Sequence, residues 1–350
     1  MDNSTGWIDQ SYPGFPKSHD KVDTSVKACL PPDCEVVRLA RFDWSPWSYT
    51  ARLVVRLADG EIQSFFVKST PGEHGRDMSE AEFVSMSYLY AVQSNFVLRP
   101  IAWGAYESIP DMHFVLIEFR EMIDVLPDKG VLGSRLAQLH ERSASMSIKQ
   151  YGFHVQTWSG TMPRVNKWCT TWEEHFTNDL KIRLEKEAAV HRTDLGMNEL
   201  SGRLLAKVVP RLLRPLEVMK SIKPVLLHGD LWDKNIAIDA KTGKPVIFGA
   251  GCTWGHNEYD IGQWRAQRNA FTQGHVDAYL RHYPPAAPED DFDDRAVLYG
   301  ITHDLNASFG HAPNTQYRKL VKASMKYLAE KYSGGFEQWR ASNPGINCQL

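Results

Sequence analysis

The stretch Leu226-Leu227-His228-Gly229-Asp230-Leu231-Trp232-Asp233-Lys234-Asn235 decides how this chain of 350 residues is read. A short apolar strand, Val225 to Leu227, runs into a tight polar loop. Asp230 and Asn235 have four residues between them. At that spacing a carboxylate can take the proton of an attacking hydroxyl while an amide oxygen holds a metal ion. Asp-x4-Asn alone is weak, because both residues are common in turns; His-Gly-Asp directly after an apolar strand is far more specific. Downstream, Pro245-Val246-Ile247-Phe248-Gly249 ends in glycine where a second metal-binding aspartate is expected.

Composition excludes several classes of function. The chain is long enough for a large core and for two lobes. Its apolar fraction of 43%, charged fraction of 23% and net charge of −2 are those of an ordinary soluble protein. No run of Lys and Arg marks a nucleic-acid or anionic-membrane surface. The longest apolar runs, such as Phe114 to Ile117, are far too short to span a bilayer. Met1-Asp2-Asn3-Ser4 begins no signal peptide, so a cytoplasmic location is expected. The five cysteines (Cys29, Cys34, Cys169, Cys252, Cys348) form no Cys-x2-Cys pair and read as free thiols. The 13 histidines include no His-Glu-x2-His, which leaves a zinc enzyme little support.

Residues 1–21 read as a loose lead-in, 22–120 as an N-terminal lobe and 121–350 as a larger C-terminal lobe. In the first lobe, strand signals lie at Glu35 to Ala40, Ala51 to Leu57 and Ile62 to Val67. A hairpin turn at Asp59-Gly60 joins the last two, and Lys68 ends the third. A helix is expected from Ser79, its N-cap, to about Val92, with Glu82 beside its apolar face. A lysine on a strand followed by a glutamate on the next helix is the ion pair with which kinases place nucleotide phosphates. Alone, either residue reads as a surface charge; ahead of a His-Gly-Asp loop the pair reads as functional. Strands at Pro100 to Tyr106 and His113 to Phe119 lead to a hinge near Glu118, Arg120 and Glu121, where adenine would sit. The turn after the first strand, Arg41 to Thr50, has no glycine for close approach to phosphate. Ser45 and Ser48 are its hydroxyl donors.

In the second lobe, helices are expected at Val131 to His140, Trp172 to Val190 and Glu199 to Met219, the last kinked or split by Pro210 and Pro215. Between the first two, an aromatic-rich irregular stretch runs from Tyr151-Gly152-Phe153-His154 through Trp158, Asn166 and Trp168 to Trp172. Its tryptophans read equally as pocket or as core. Ile236 to Ile238 and Pro245 to Phe248 read as a hairpin. From Ile261 to about Tyr332 the chain reads as helical, then as a Gly/Pro-bearing tail.

Together these residues resemble the fructosamine-3-kinase/ketosamine-3-kinase family, within the aminoglycoside-phosphotransferase-like kinases, and look closest to the fungal branch named protein-ribulosamine 3-kinases. The likeness covers about residues 35 to 335. It rests on Phe65-Phe66-Val67-Lys68, Glu82, Tyr151-Gly152-Phe153-His154, Pro163-x2-Asn166-x-Trp168-x3-Trp172, the Leu227–Asn235 loop and Gly255-His256-x-Glu258. The resemblance implies an α+β, protein-kinase-like two-lobed fold, with a small, mainly antiparallel β N-lobe carrying one helix and a larger, mainly α C-lobe. It implies ATP- and Mg2+-dependent phosphorylation of a sugar hydroxyl on a ketosamine, borne by a small molecule or a glycated protein. Asp230 would be the catalytic base and Asn235 a Mg2+ ligand. Lys68, oriented by Glu82, would hold phosphates. His154, Asn166, Trp168, Trp232, His256 and Glu258 would line the substrate side.

Gly249 departs from that pattern, since glycine brings no ligand oxygen where the family has aspartate. Three carboxylates near in sequence, Asp233, Glu258 and Asp260, are the residues that could replace it. Two readings stay open: an active kinase, and a pseudokinase that keeps the fold for binding or for a nucleotide-independent reaction. A dinucleotide-binding turn at Gly249-x-Gly251-x3-Gly255 fails, because no βαβ unit surrounds it.

Overall fold

Alternation of apolar and polar residues builds the first sheet. The computed structural model describes residues 22–42, 48–191, 194–266 and 268–346; Ser45 therefore lies outside the described residues. Strands β1 (Glu35–Arg41), β2 (Tyr49–Arg56), β3 (Ile62–Pro71), β4 (Pro100–Ala105) and β5 (Met112–Glu118) form one antiparallel sheet in the order β1-β2-β3-β5-β4. Leu53, Val55, Phe65, Val67, Phe114 and Leu116 pack on one face of it with Val26, as a two-residue side-chain period requires. Val26 comes from a one-turn helix, α1 (Thr24–Lys27), that the sequence did not suggest. Asp23 caps it, accepting from Ser25 N at 2.9 Å, and also accepts from Glu107 N and Ser108 N.

The helix after β3, α2 (Gly72–Gln93), begins seven residues before the expected Ser79. Ser79 is buried within it and is not its cap. The chain turns straight from Pro71 into the helix.

The described residues gather into two compact units. The first takes those within 22–127, 155–163 and 234–251; the second takes those within 128–154, 164–233 and 252–346. Backbone pairing explains the first assignment. The hairpin Ile236–Asp239/Pro245–Ile247 adds Met122–Ile123 as a third strand. Ile247 N donates to Phe96 O at 2.9 Å.

The second unit is helical. Its main helices are Lys129–Ala144, Trp172–His191, Leu195–Arg203, Val209–Val218, Gln273–Leu280, Phe292–Gly310 and Thr315–Lys331. A π-helical turn, Leu204–Val208, divides the expected 199–219 helix just before Pro210, where proline removes a donor and crowds the preceding turn. Pro215 stays inside the following helix. The Gly/Pro-bearing tail carries a further helix, Gly335–Ser342, packed through Phe336 and Trp339 onto Val218. The strand before the Asp230 loop, Val225–Leu227, pairs antiparallel with Thr253–Gly255.

Trp172 resolves the pocket-or-core alternative at its position. It is 1% exposed, lies among Phe176, Leu227, Tyr259 and Tyr299, and donates its indole N–H to the Tyr299 hydroxyl at 2.9 Å. Trp172→Ala should therefore destabilise the protein by about 3–5 kcal/mol, through cavity formation and loss of the hydrogen bond to the Tyr299 hydroxyl. Denaturant unfolding measures this, and a loss below about 1 kcal/mol would contradict the core assignment.

Candidate active site

The first unit supplies an ion pair and an amide. Lys68 lies inside β3, opposite Thr50 on β2 and Val115 on β5, so both neighbouring strands fix its backbone. Its Nζ is 2.6 Å from Glu82 Oε2 on α2, and both side chains are partly buried. The expected pair is thus formed. Ser48 is buried, at 4% exposure. Glu118 and Arg120 sit in a hydrogen-bonded network. Glu118 Oε1 accepts from Arg99 N at 2.6 Å and from Arg120 Nη2 at 2.7 Å, while Arg120 Nη1 donates to Asp239 at 3.2 Å.

At the end of the hairpin, Asn235 and Gly249 meet. Phe248 N donates to Asn235 O at 3.1 Å, and Asn235 Nδ2 donates to Gly249 O at 3.3 Å. Gly249 has φ +68°, in the left-handed region, where a side chain is strained but Asp and Asn are the best tolerated. A Cβ at this position would lie 2.8 Å from Asn235 Oδ1. An amide with no carboxylate opposite it is a poor donor set for Mg2+, which normally takes one or two carboxylates from the protein. Among the described residues no group of three or more His, Cys, Asp or Glu could hold a metal. The residues around Gly249 do not fit a protein-held Mg2+.

Two of the three possible replacement carboxylates are committed elsewhere. Glu258 is fully buried and receives Arg295 Nε at 2.7 Å, Arg295 Nη2 at 2.9 Å and Ala286 N at 2.8 Å. Asp260 holds the backbone of the loop it follows. Asp233 Oδ1 is buried without a hydrogen-bond partner.

In the second unit the Asp230 loop is clamped peptide by peptide. Asp260 Oδ2 accepts from His228 N at 2.8 Å, and its Oδ1 accepts from Gly229 N at 2.9 Å. His140 Nε2 donates to the same carboxylate at 3.2 Å. Burial alone would raise the Asp260 pKa; the hydrogen bond and charge of His140, with His228 and Gly229, instead hold it below the ordinary carboxylate range. Arg164 Nη2 donates to Gly229 O, and Asp230 N donates to His228 Nδ1 at 3.2 Å. Gly229 has φ +81°, which lets the chain turn sharply out of the strand. Trp264 Nε1 donates to Leu231 O at 3.0 Å. Asp230 ends up half-buried at the tip of a fixed loop.

The residues expected on the substrate side separate into two groups. His154 is exposed, Trp168 is 36% exposed and Trp232 is half-buried. Backbone pairing of Tyr151 with Cys169 in both directions, and of Phe153 N with Asn166 O at 2.9 Å, brings the His154 and Trp168 stretches side by side. The other group is buried. Asn166 is 7% exposed, and His256 and Glu258 are fully buried. His256 Nδ1 is 2.9 Å from the Tyr299 hydroxyl. His256 and Glu258 are thus held in the core by Tyr299 and Arg295. Arg164, His140 and Arg295 carried no sequence expectation, although Arg164 lies inside the Pro163-x2-Asn166 motif.

Two measurements follow from this geometry. Gly249→Asp should lower stability by about 1–3 kcal/mol from backbone strain and crowding of Asn235, yet add a carboxylate, so Mg2+ with nucleotide should raise its Tm more than that of the parent. An equal response would show that position 249 does not control metal binding. Separately, burial pushes His256 down to about 4, with Arg295 and His140 adding to it against Glu258, and pushes His175 and His303 below their usual range. These histidines are neutral in the fold and take up protons on unfolding. Stability should therefore fall as pH drops below about 6.5, by about 1.4 kcal/mol per pH unit for each, until the folded-state pKa is reached. Unfolding midpoints between pH 7.5 and 4.5 test this, and a flat profile would contradict it.

The fructosamine kinase family profile matches residues 52–330. The rice protein-ribulosamine 3-kinase, chloroplastic (Oryza sativa subsp. japonica), is 32% identical over 70% of this chain and 67% of its own length. A crystal structure from Thermobifida fusca, of a protein with a provisional fructosamine-3-kinase name, superposes with a TM-score of 0.68 at 20% identity, covering 89% of this chain and 100% of that one. An aminoglycoside phosphotransferase solved with AMP-PNP and hygromycin B gives 0.57 at 12% identity, covering 85% and 94%. The fold is accordingly the aminoglycoside-phosphotransferase-like kinase fold, and the chain belongs to the fructosamine kinase family.

Proposed function

We propose that the protein transfers the γ-phosphoryl group of ATP to a sugar hydroxyl of a ketosamine, carried by a small molecule or a glycated protein. One observation carries the reading: Asp230 stands half-buried at the tip of a loop whose backbone is held by Asp260, Arg164 and His228. Such a carboxylate can accept the proton of an acceptor hydroxyl as its oxygen attacks the γ-phosphorus. A new phosphorus–oxygen bond forms, the bond to the β–γ bridging oxygen breaks, and ADP leaves with the electron pair. Lys68, held by Glu82, offers a fixed positive charge for the phosphates. Trp168, Trp232 and His154 offer the accessible aromatic and polar surface for the ketosamine. No step is assigned to a protein-held metal. A cytoplasmic location belongs to this reading, although the rice relative is chloroplastic by name. Among the described residues no helix is long and apolar enough to cross a membrane. The pseudokinase alternative raised by Gly249 finds no support in relatives that are themselves named kinases.

Asp230→Asn should lower kcat about 10²- to 10⁴-fold, the usual contribution of a general base, while ATP still raises Tm. Lys68→Met should weaken the ATP-dependent rise in Tm itself. If Asp230→Asn retains parental kcat, the base lies elsewhere and the reading fails.

A further inference from the structure

Arg164 is 5% exposed, yet its guanidinium reaches the loop that carries Asp230. Nη2 donates to the carbonyl of Gly229, and Nη1 donates to the Tyr259 hydroxyl at 3.2 Å. The guanidinium carbon lies 5.6 Å from the centroid of the Tyr259 ring. Tyr259 is itself tied to Thr302 Oγ1 at 3.2 Å. The peptide joining Gly229 to Asp230 is thus held at both ends, its carbonyl by Arg164 and its N–H by His228 Nδ1 at 3.2 Å. That peptide sets the direction in which the Asp230 side chain leaves the loop. Burial works against the charge of Arg164, but Tyr259, Asp179 and Asp230 more than offset it, so the guanidinium stays charged. Asp179 is shared with Arg183 at 2.7 Å and with Val165 N at 3.1 Å, which leaves Asp230 among the anions that Arg164 balances.

We infer that Arg164 is a positioning residue for Asp230. It locks the Gly229–Asp230 peptide, so that Asp230 is correctly aimed when the acceptor hydroxyl arrives. This rests on the reading of Asp230 as the base. The planar fork matters as much as the charge. An ammonium can supply charge, but it cannot hold a carbonyl and a phenol at fixed directions at once. Misplacement of a base by about 1 Å can cost about 10²-fold in rate.

The test compares Arg164→Lys and Arg164→Gln with the parent, each first checked for a cooperative unfolding transition. Arg164→Gln should lower kcat about tenfold or more, with KM for ATP changed less than about twofold. Arg164→Lys should lower kcat as well, because an ammonium cannot hold the Gly229 carbonyl and the Tyr259 hydroxyl at once. Guanidinium ion added to an Arg164→Gly variant should restore part of kcat, whereas sodium at equal ionic strength should not. A purely structural role would show no such rescue. Parental kcat in both substitutions, or no rescue by guanidinium, would overturn the inference. Hydrogen exchange supplies a readout independent of turnover: amides of 228–232 should exchange at least about tenfold faster in Arg164→Gln, with those of Phe292–Gly310 unchanged. Unaltered exchange in the loop would overturn it as well. Retained activity in Asp230→Asn, by contrast, would remove the underlying reading and leave the loop clamp standing.

Discussion

The arrangement depends first on the buried carboxylate of Asp260. It accepts the N–H groups of His228 and Gly229 and is held from behind by His140. A buried carboxylate is costly unless its oxygens are satisfied, and here the satisfying partners are the backbone of the Asp230 loop itself. The cost of burying the charge is thereby coupled to the shape of the loop. Any other path for residues 228–230 would strand an anion in the core. The surrounding elements serve the same end. Helix Lys129–Ala144 delivers His140, and Tyr279 on helix Gln273–Leu280 reaches His140 Nδ1 at 2.8 Å. Arg295 on helix Phe292–Gly310 neutralises Glu258 two residues before Asp260.

Gly249 marks where this chain parts from the rest of the pattern. The backbone there keeps a left-handed conformation that suits a short polar residue. The space a Cβ would take is bounded by the amide of Asn235, which is turned onto the Gly249 carbonyl. The turn is present, and position 249 adds no carboxylate to it. Lys68 is a fixed positive charge, held on β3 by its pair with Glu82 on α2.

Much of the fold was legible because its signals are local. Alternating residues at 51–57 and 62–67 and the Asp59-Gly60 turn announced the sheet, and Lys68 and Glu82 met as their order implied. Pro210 announced a break in its helix. What stayed hidden depends on distant partners. Helix α2 begins at Gly72 without a capping side chain, so no cap signal could locate its start. The family resemblance puts His256 and Glu258 on the substrate side, whereas Tyr299 and Arg295 hold them in the core from about 40 residues downstream. Arg164 meets Gly229 across 65 residues of chain, and nothing local to it reports that contact.

Phosphoryl transfer to a ketosamine by way of a clamped Asp230, despite Gly249, is tested by mass spectrometry of a synthetic glycated peptide incubated with the protein and ATP. The expected result is a mass increase of one phosphoryl group on the ketosamine, absent when ATP is omitted and absent from the unglycated peptide. An unmodified glycated peptide, under conditions in which ATP raises the protein's Tm, would contradict it.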